Sequence, residues 1–247
     1  MSGSLKRLLD VLVASLALAL LAIPFLLIML VLRLTGEGKV WFLQQRVGHR
    51  GEPFHIFKFV TMRADSETTG NRDITLRGDP RVLPVGRFLR MAKLNELPQI
   101  LNVLRGDMSL VGWRPLVPRS FADYPPEIQR RIVAMKPGVT GVGSLVFRDE
   151  EAIVSAGAAQ GRQAREVYRE EILPFKGELE LWYQERRGFW LDLRVLLATA
   201  VLVLVPGSSP WRLVPGLPEP QSPFLARQLR RRTPGKVGAD SPTSPAD

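Results

Sequence analysis

An uncharged apolar segment near the N-terminus constrains the fold more than any other feature. Residues 11–32 carry no charged side chain. A straight helix of that length would be ~33 Å long, close to the ~30 Å hydrocarbon thickness of a bilayer. A signal peptide is the alternative, but its apolar region is usually about 7–15 residues and ends at a small-residue cleavage site, which this segment lacks. The segment therefore predicts a membrane-associated helix.

Pro24 interrupts this segment near its middle, where it removes a backbone donor and predicts a kink. Basic residues lie on both sides, with Lys6 and Arg7 before the segment and Arg33 and Lys39 after it. An excess of Lys and Arg marks cytoplasmic segments. The pattern fits a helix–break–helix that enters the bilayer and returns to the same face, and it fits equally an ordinary span with basic ends. The re-entrant form, with Pro24 as the membrane break, is the prediction tested below.

The chain divides by composition into four predicted regions. Residues 1–39 form the anchor, and residues 40–188, with mixed polar and apolar residues and short turn signals, form a cytoplasmic catalytic domain. Residues 189–205 are a second apolar segment with aromatic residues near its start, typical of an interfacial helix, although a core-packing helix is the alternative. Residues 206–247 are rich in Pro, Gly, Ser and Arg and are predicted to be disordered. The arginine run at 230–232 either contacts anionic lipid or is simply solvated.

The predicted fold class is α+β and mainly helical, for a monotopic membrane protein with interfacial helices. Strand-like stretches are short, at residues 54–59 and 144–147. Because strands and helices do not alternate over long distances, a doubly wound sheet is not expected.

Charge and cysteine content limit the classes of function. The formal net charge of +10 favours a polyanionic partner, and the absence of cysteine excludes disulfides, thiolate catalysis and cysteine-bound metals. The basic residues flank apolar segments rather than aromatic stacking platforms, so nucleic acid is not the predicted partner. Membrane lipids and phosphate-rich substrates are the predicted partners.

The densest group of chemically capable residues lies at 79–115. Asn95 is a favourable N-cap, Glu96 and Pro98 suit a first helical turn, and Gly106 is a natural terminator. Free N–H groups at a helix start attract phosphate. Basic side chains surround this point in sequence, and arginine forks match phosphate oxygens; they are Arg81, Arg87, Arg90, Lys93 and Arg114. The alternative is a solvated basic face on a membrane-surface protein.

Several ordered blocks resemble one family. They are LKRLLDVLVA, the proline-broken helix, FLQQRVGHRGEPFHIFKFVTMR, DPRV followed by GRFLR, NELPQILNVLRGDMSLVG, RP and PGVTG. In this order, over residues 4–205, the blocks resemble the bacterial sugar transferases of the monotopic polyprenyl-phosphate phosphoglycosyl transferase family.

The resemblance implies a specific activity and location. Family members transfer a sugar-1-phosphate from a nucleotide diphosphate sugar, such as a UDP-sugar, to polyprenyl phosphate, with Mg2+ as cofactor. They act on the cytoplasmic face of the bacterial inner membrane and initiate surface glycans such as exopolysaccharide, capsule or O-antigen. The implied mechanism is ping-pong, in which an Asp of an Asp-Glu pair forms a covalent phospho-sugar intermediate. The sequence leaves the oligomeric state open, a homodimer being one arrangement it permits.

The resemblance also implies roles for individual residues. Glu96 matches the Glu of the pair, which the family uses near the metal or in acid–base chemistry, and Arg90 matches the arginine preceding the pair. Arg114 matches the arginine of the Pro-Arg-Pro element and Lys58 the lysine of the Phe-Lys block, both as substrate ligands. Pro24 matches the helix-breaking proline. Arg81 and Arg87 are further predicted substrate ligands from the basic cluster.

This chain departs from the family pattern at the nucleophile. Asn95 occupies the position of the usual Asp, and a neutral amide is a poor nucleophile toward phosphorus and a weak metal ligand. Trp113 replaces a proline and Val60 an arginine. Three explanations are open: another carboxylate such as Asp79 or Asp107 replaces it, transfer is direct with Glu96 and metal, or the chain is a catalytically silent scaffold or partner subunit.

The acidic group at 149–151 is a further candidate for holding a metal. A simpler interpretation, which we favour, is an acidic cluster that stabilises a helix N-terminus.

Overall fold

The computed structural model describes residues 3–35, 37–68, 74–205 and 207–230. It is mainly helical with short sheets, which confirms the predicted α+β class. The strands are β1 (Trp41–Val47), β2 (Pro53–Phe59), β3 (Ser109–Val111) and β4 (Gly138–Thr140). The α-helices are α1 (Gly3–Leu20), α2 (Ala22–Leu34), α3 (Pro84–Met91), α4 (Gln99–Arg105), α5 (Pro118–Phe121), α6 (Pro126–Ile132), α7 (Val142–Val146), α8 (Glu150–Ala158), α9 (Ala164–Val167), α10 (Leu173–Arg186), α11 (Phe189–Leu204), α12 (Pro210–Leu213) and α13 (Pro223–Arg230).

The N-terminal apolar segment is a bent pair of helices. Among the described ranges no single helix is long and apolar enough to cross a bilayer; α1 and α2 meet that length and composition only together, and they are bent by 63°. The break falls at Leu21 rather than at Pro24, which lies in the first turn of α2. The reason is local, because the ring nitrogen of Pro24 cannot donate to the carbonyl of Leu20 four residues earlier.

The two sheets are small, as the absence of strand–helix alternation predicts. β1 and β2 form an antiparallel hairpin with Trp41 opposite Phe59 and Val47 opposite Pro53. β3 and β4 pair in parallel. The strand prediction at 54–59 is confirmed within β2, whereas residues 144–147 are not a strand. They belong to α7 and its C-cap, because the chain leaves β4 at Gly141 and turns directly into a short buried helix.

Three apolar clusters attach the helices to one another. The largest unites α7, α10 and α11 with Trp113. Ala14 of α1 packs with Ile100 and Val103 of α4. Phe25 and Leu32 of α2 pack with residues of β2 and α3. Both ends of the bent pair therefore rest on the catalytic domain.

The second apolar segment is a helix with two different sides. Val195, Ala198 and Leu202 of α11 are buried in the main core, whereas Trp190 and Leu204 are 77% and 78% exposed. The core-packing interpretation is confirmed for one side of this helix, whereas the interfacial interpretation of the exposed apolar side stays a prediction.

The predicted disorder of the C-terminal tail is wrong for residues 207–230. Leu225 and Leu229 of α13 are buried in the main core, together with Val214 and Leu217. Composition suggested disorder because Pro, Gly and Arg dominate, but these few leucines and valines fall at positions where they reach the core. Position 206 and residues 231–247, including two arginines of the predicted lipid-binding run, lie outside the described residues.

Glycines allow β4 and the residue after it to pack closely against Gly112, which follows β3. A Cβ on Gly138 would lie 2.1 Å from the Gly112 nitrogen, and one on Gly141 would lie 2.0 Å from the Gly112 carbonyl oxygen. Since real Cβ atoms do not approach backbone this closely, the PGVTG block is explained by packing beside the segment that carries Arg114.

We expect Gly141→Ala to lower the free energy of unfolding by about 2–3 kcal/mol, because the added methyl must displace backbone. Denaturant unfolding in detergent measures this change. Gly188→Ala is the matched control, since a Cβ at Gly188 meets no atom within 4 Å. Equal stability of the two variants would contradict the steric explanation.

Candidate active site

The local backbone presents Glu96 differently from the prediction. A 3-10 turn covers Leu94–Glu96 and follows Lys93, whose φ of 59° is left-handed. α4 begins only at Gln99, with Pro98 at its N-cap and no capping side chain. Asn95 is therefore a buried residue of the 3-10 turn and not an N-cap. Pro98 takes the N-cap position of α4 instead, because a residue without an N–H is tolerated at a helix start. Gly106 ends α4 in a left-handed conformation, as predicted.

Glu96 is the centre of a compact ionic cluster. Its Oε1 accepts hydrogen bonds from Lys58 Nζ at 3.2 Å and from Arg114 Nη2 at 2.5 Å. Its Oε2 accepts from Arg114 Nη1 at 3.1 Å, so the guanidinium grips both oxygens. Strand β2 supplies Lys58 and the segment after β3 supplies Arg114. The fold thus joins three residues that are 18 and 38 positions apart.

Burial and charge act together on the protonation of this cluster. Burial alone would raise the pKa of Glu96, but Arg114 and Lys58 outweigh it and hold that pKa well below its usual value. Glu96 in turn raises the pKa of Arg114. Burial lowers the pKa of Lys58 to about 7, although Glu96 opposes this shift. Glu96 is consequently an anion at neutral pH, and Lys58 is the member that titrates there.

A buried tryptophan fixes the approach of Arg114. Trp113 is fully buried and its indole Nε1 donates to the Met135 carbonyl at 3.0 Å. The backbone N–H of Arg114 faces Glu180 Oε1 at 3.4 Å. Trp113 therefore anchors the segment that carries Arg114 within the core.

Each acidic residue of the group at 149–151 forms an ion pair with a basic side chain. Glu151 pairs with Arg90, Glu150 with Lys176, and Asp149 with Arg77. Glu150 and Glu151 lie in the first turn of α8, in agreement with the helix-terminus interpretation. Lys93 Nζ donates to the Arg148 carbonyl at 3.0 Å and adds positive potential at Glu96.

Two predicted substrate ligands lie outside this cluster. Arg81 is buried, and each guanidinium nitrogen contacts a partner in the protein: Asp79, Ser66 or Ile74. Its observed role is to hold this loop together. Arg87 is exposed on α3.

The structure does not place either alternative carboxylate beside Glu96. Asp79 is bound to Arg81. Asp107 lies just past the C-terminal end of α4, where it contacts Asn102 and Arg105, whereas Glu96 precedes the start of that helix.

Sequence reasoning missed two buried charges on α10, Lys176 and Glu180. A signal for them exists, because both fall at helical spacing within the buried stripe that includes Leu173 and Tyr183. Charged residues within such a stripe are uncommon unless they are paired.

The side chains present do not fit a magnesium site built by the protein alone. No group of three or more His, Asp or Glu residues that could hold a metal occurs in the described part of the chain. Both oxygens of Glu96 are engaged by cations, and Asn95 brings no charge. What the cluster offers is an excess of positive charge, with Lys58, Lys93 and Arg114 around one carboxylate. Such a surface suits a di- or triphosphate anion.

Comparison with known proteins places the chain in a family. The model for bacterial sugar transferases matches residues 1–206. The chain is 37% identical over 204 residues to the uncharacterized sugar transferase EpsL of Bacillus subtilis, covering 81% of this chain and 88% of EpsL. It is 38% identical to the UDP-glucose:undecaprenyl-phosphate glucose-1-phosphate transferase of Caulobacter vibrioides. That alignment covers 81% of this chain and 69% of the Caulobacter protein. For the undecaprenyl-phosphate galactose phosphotransferase of Salmonella typhimurium the identity is 33%, covering 82% of this chain and 41% of that protein. The chain belongs to the bacterial sugar transferase family.

Proposed function

We propose that this chain transfers a sugar-1-phosphate from a nucleotide diphosphate sugar to a polyprenyl phosphate and so initiates a surface glycan such as exopolysaccharide, capsule or O-antigen. The observation that carries the proposal is the Lys58–Glu96–Arg114 cluster, which lies within the region that the family model matches. Relatives named for glucose-1-phosphate and galactose phosphate transfer to undecaprenyl phosphate support the same substrate classes.

In this proposal Arg114 and Lys58 bind the donor phosphates, and Glu96 keeps these two cations in position. Arg114 and Lys58 neutralise the diphosphate charge that shifts to the leaving nucleoside monophosphate. Because its pKa is low, Glu96 stays ionised and does not serve as a proton donor at neutral pH. Mg2+ remains a prediction of the family resemblance, and no step is assigned to it.

We further propose that transfer is direct, since Asn95 has no carboxylate to form an acyl phosphate with the sugar phosphate and the alternative acids Asp79 and Asp107 lie elsewhere. An oxygen of polyprenyl phosphate attacks the phosphorus that bears the sugar. The bond from that phosphorus to the nucleoside monophosphate breaks, and its electron pair leaves with the nucleotide.

One experiment tests both proposals. Purified protein with polyprenyl phosphate, Mg2+ and a panel of nucleotide sugars should release nucleoside monophosphate, and intact-mass spectrometry with donor alone should show no adduct. Asn95→Asp, which restores the family's carboxylate, should show one. Absence of turnover, with a known relative active in parallel, would favour a silent scaffold. An adduct on the native chain would refute direct transfer.

Donor affinity should weaken as pH rises through 7. Lys58 is charged below its pKa of about 7 and neutral above it, so the affinity for a nucleotide sugar should fall about fivefold, ~1 kcal/mol, between pH 6 and 8. Calorimetric titration measures this slope. Lys58→Arg, which stays charged, should flatten it, whereas Lys39→Arg on the exposed surface should not. The same slope in Lys58→Arg would exclude Lys58 as its source.

We propose a re-entrant position of α1 and α2 in the bacterial inner membrane, with the catalytic domain on the cytoplasmic face. Lys6 Nζ of α1 bonds to Asp192 of α11 at 2.6 Å, and Leu32 near the end of α2 packs with Phe59 and Leu89. Contacts at both ends with the same domain favour entry and exit on one side. Exposed apolar side chains on these helices, on α3 and on α11 suit lipid; examples are Leu20, Ile23, Leu26, Met91 and Trp190.

The absence of cysteine makes this topology testable. Ser4→Cys and Lys39→Cys place single thiols beside the two ends of the pair. Both should react with a membrane-impermeant maleimide only after the inner membrane is opened. Labelling of one thiol in spheroplasts with an intact membrane would indicate a crossing helix instead.

A further inference from the structure

A buried carboxyl group lies directly behind Arg114. Glu180 on α10 is only 2% exposed, and its Oε1 accepts the backbone N–H of Arg114 at 3.4 Å. Its Oε2 is buried and, among the described residues, has no hydrogen-bond partner. An unpaired buried carboxyl oxygen opposes folding. Packing alone would be served better by leucine, so another reason for the acid is needed.

Gly143 allows this carboxyl group to reach the Arg114 segment. A Cβ on Gly143 would lie 2.4 Å from Glu180 Oε1, closer than real Cβ atoms approach an oxygen. The carboxyl group is thus confined between α7 on one side and the backbone of Arg114 on the other. Gly143 and the backbone of Arg114 therefore together limit the position of Glu180 Oε1.

Within the described part of the chain, no cation forms an ion pair with Glu180. Lys176, one turn earlier on α10, directs its ammonium to Glu150 and lies over the rings of Phe147 and Tyr168 at 5.3 and 5.4 Å. Arg114 gives its guanidinium to Glu96.

The other ionisable groups that act on Glu180 do not supply a cation. They are Tyr124, on the segment after α5, and Tyr183, one turn later on α10. Burial raises the pKa of Glu180 to about 8, although the Arg114 N–H, Lys176 and Arg114 oppose it. A neutral Glu180 does not compete with Glu96 for the guanidinium.

We propose that Glu180 is a positioning residue for Arg114, whose backbone it holds so that the guanidinium meets both oxygens of Glu96. The expected effect on turnover rests on the proposed transfer reaction, whereas the contact that positions Arg114 does not. A consequence is that ionisation of Glu180 at alkaline pH places a second negative charge beside Arg114. The grip on Glu96 should loosen there.

The test compares variants of the full chain in detergent. Glu180→Gln keeps an oxygen for the Arg114 N–H but cannot ionise, Glu180→Leu removes the contact, and Gly143→Ala displaces the carboxyl group without changing it. Glu178→Gln, on the exposed side of the same helix, is the control. Two quantities are measured: kcat from pH 6.5 to 9.5 at saturating donor, and the rate at which phenylglyoxal modifies Arg114, followed by peptide mass spectrometry.

We expect Glu180→Gln to retain kcat within about threefold at pH 7. Because Lys58 also loses its charge as the pH rises through about 7, the alkaline decline is compared in the Lys58→Arg background, where Glu180→Gln should lose it. Glu180→Leu and Gly143→Ala should lower kcat about tenfold with little change in KM, and Arg114 should react about fivefold faster. The Glu178→Gln control should match the native chain in both quantities.

The proposal is overturned if Glu180→Leu keeps the native kcat, pH profile and Arg114 reactivity, or if Glu180→Gln keeps the alkaline decline in the Lys58→Arg background. A native chain that turns over no donor defeats the proposed function, while Arg114 reactivity still decides the positioning role. Should Glu180→Leu fail to fold, Gly143→Ala and Glu180→Gln decide it in the same two measurements.

Discussion

Replacing Glu96 with glutamine should lower kcat/KM about 100-fold, ~2.7 kcal/mol of transition-state stabilisation. Among the residues that the structure describes, this carboxylate is the one anion that both Lys58 and Arg114 contact, and each of its oxygens accepts a hydrogen bond. An amide presents one oxygen and one NH2 group, so at least one cation loses its acceptor and meets a donor instead. Without Glu96, which raises the pKa of Lys58, that lysine should also lose its proton more readily.

The Glu96→Gln measurement needs two comparisons. Glu127→Gln removes an exposed carboxylate on α6 and should leave activity within twofold, whereas Glu96→Asp keeps the charge and should recover part of the loss. Removing one partner of a buried ion pair lowers the free energy of unfolding by about 3–5 kcal/mol, and by less for these partly exposed side chains. The thermal stability of each variant should therefore be measured alongside its kinetics. Undiminished turnover by folded Glu96→Gln would remove Glu96 from the site.

Arg114→Ala should reduce activity by a similar factor, about 100-fold, because it removes the fork that grips both oxygens of Glu96 and that we propose binds the donor phosphates. Arg114→Lys keeps one positive charge but cannot bond two oxygens in a plane, so an intermediate loss of about tenfold is expected. Steady-state kinetics with one nucleotide sugar would separate the two variants.

The control for Arg114 lies nearby in the chain. Arg119 on α5 is exposed, and only its backbone carbonyl takes part in a contact with Arg165. Arg119→Ala should therefore keep native activity. If Arg114→Lys equalled the native chain, charge alone would be sufficient and the bidentate geometry would be irrelevant.

Local signals in the chain were sufficient for several elements. The uncharged segment at 11–32 with Pro24 predicted a broken apolar helix, and the pair α1 and α2 is bent by 63°. Gly106 predicted the end of α4. These features depend on residues within one or two turns, where hydrogen bonding, side-chain volume and φ preferences act without knowledge of the rest of the chain.

Predictions that depended on distant partners were less complete. Arg81 had the same apparent chemistry as Arg114, yet one meets Asp79 within a loop and the other meets Glu96. The charge of an arginine is a property of the residue, whereas its partner depends on how the chain is folded.

By itself, therefore, the sequence determined the family blocks, the mainly helical class, the apolar anchor and the residues Lys58, Glu96 and Arg114 as candidates. The tertiary structure alone decided that these three meet, that Glu180 and Gly143 lie behind Arg114, and that residues 207–230 pack on the core. The physical reason is range. Helix breaks and caps are short-range effects along the chain, but ion pairs and core contacts join residues that only the packing of whole elements brings together.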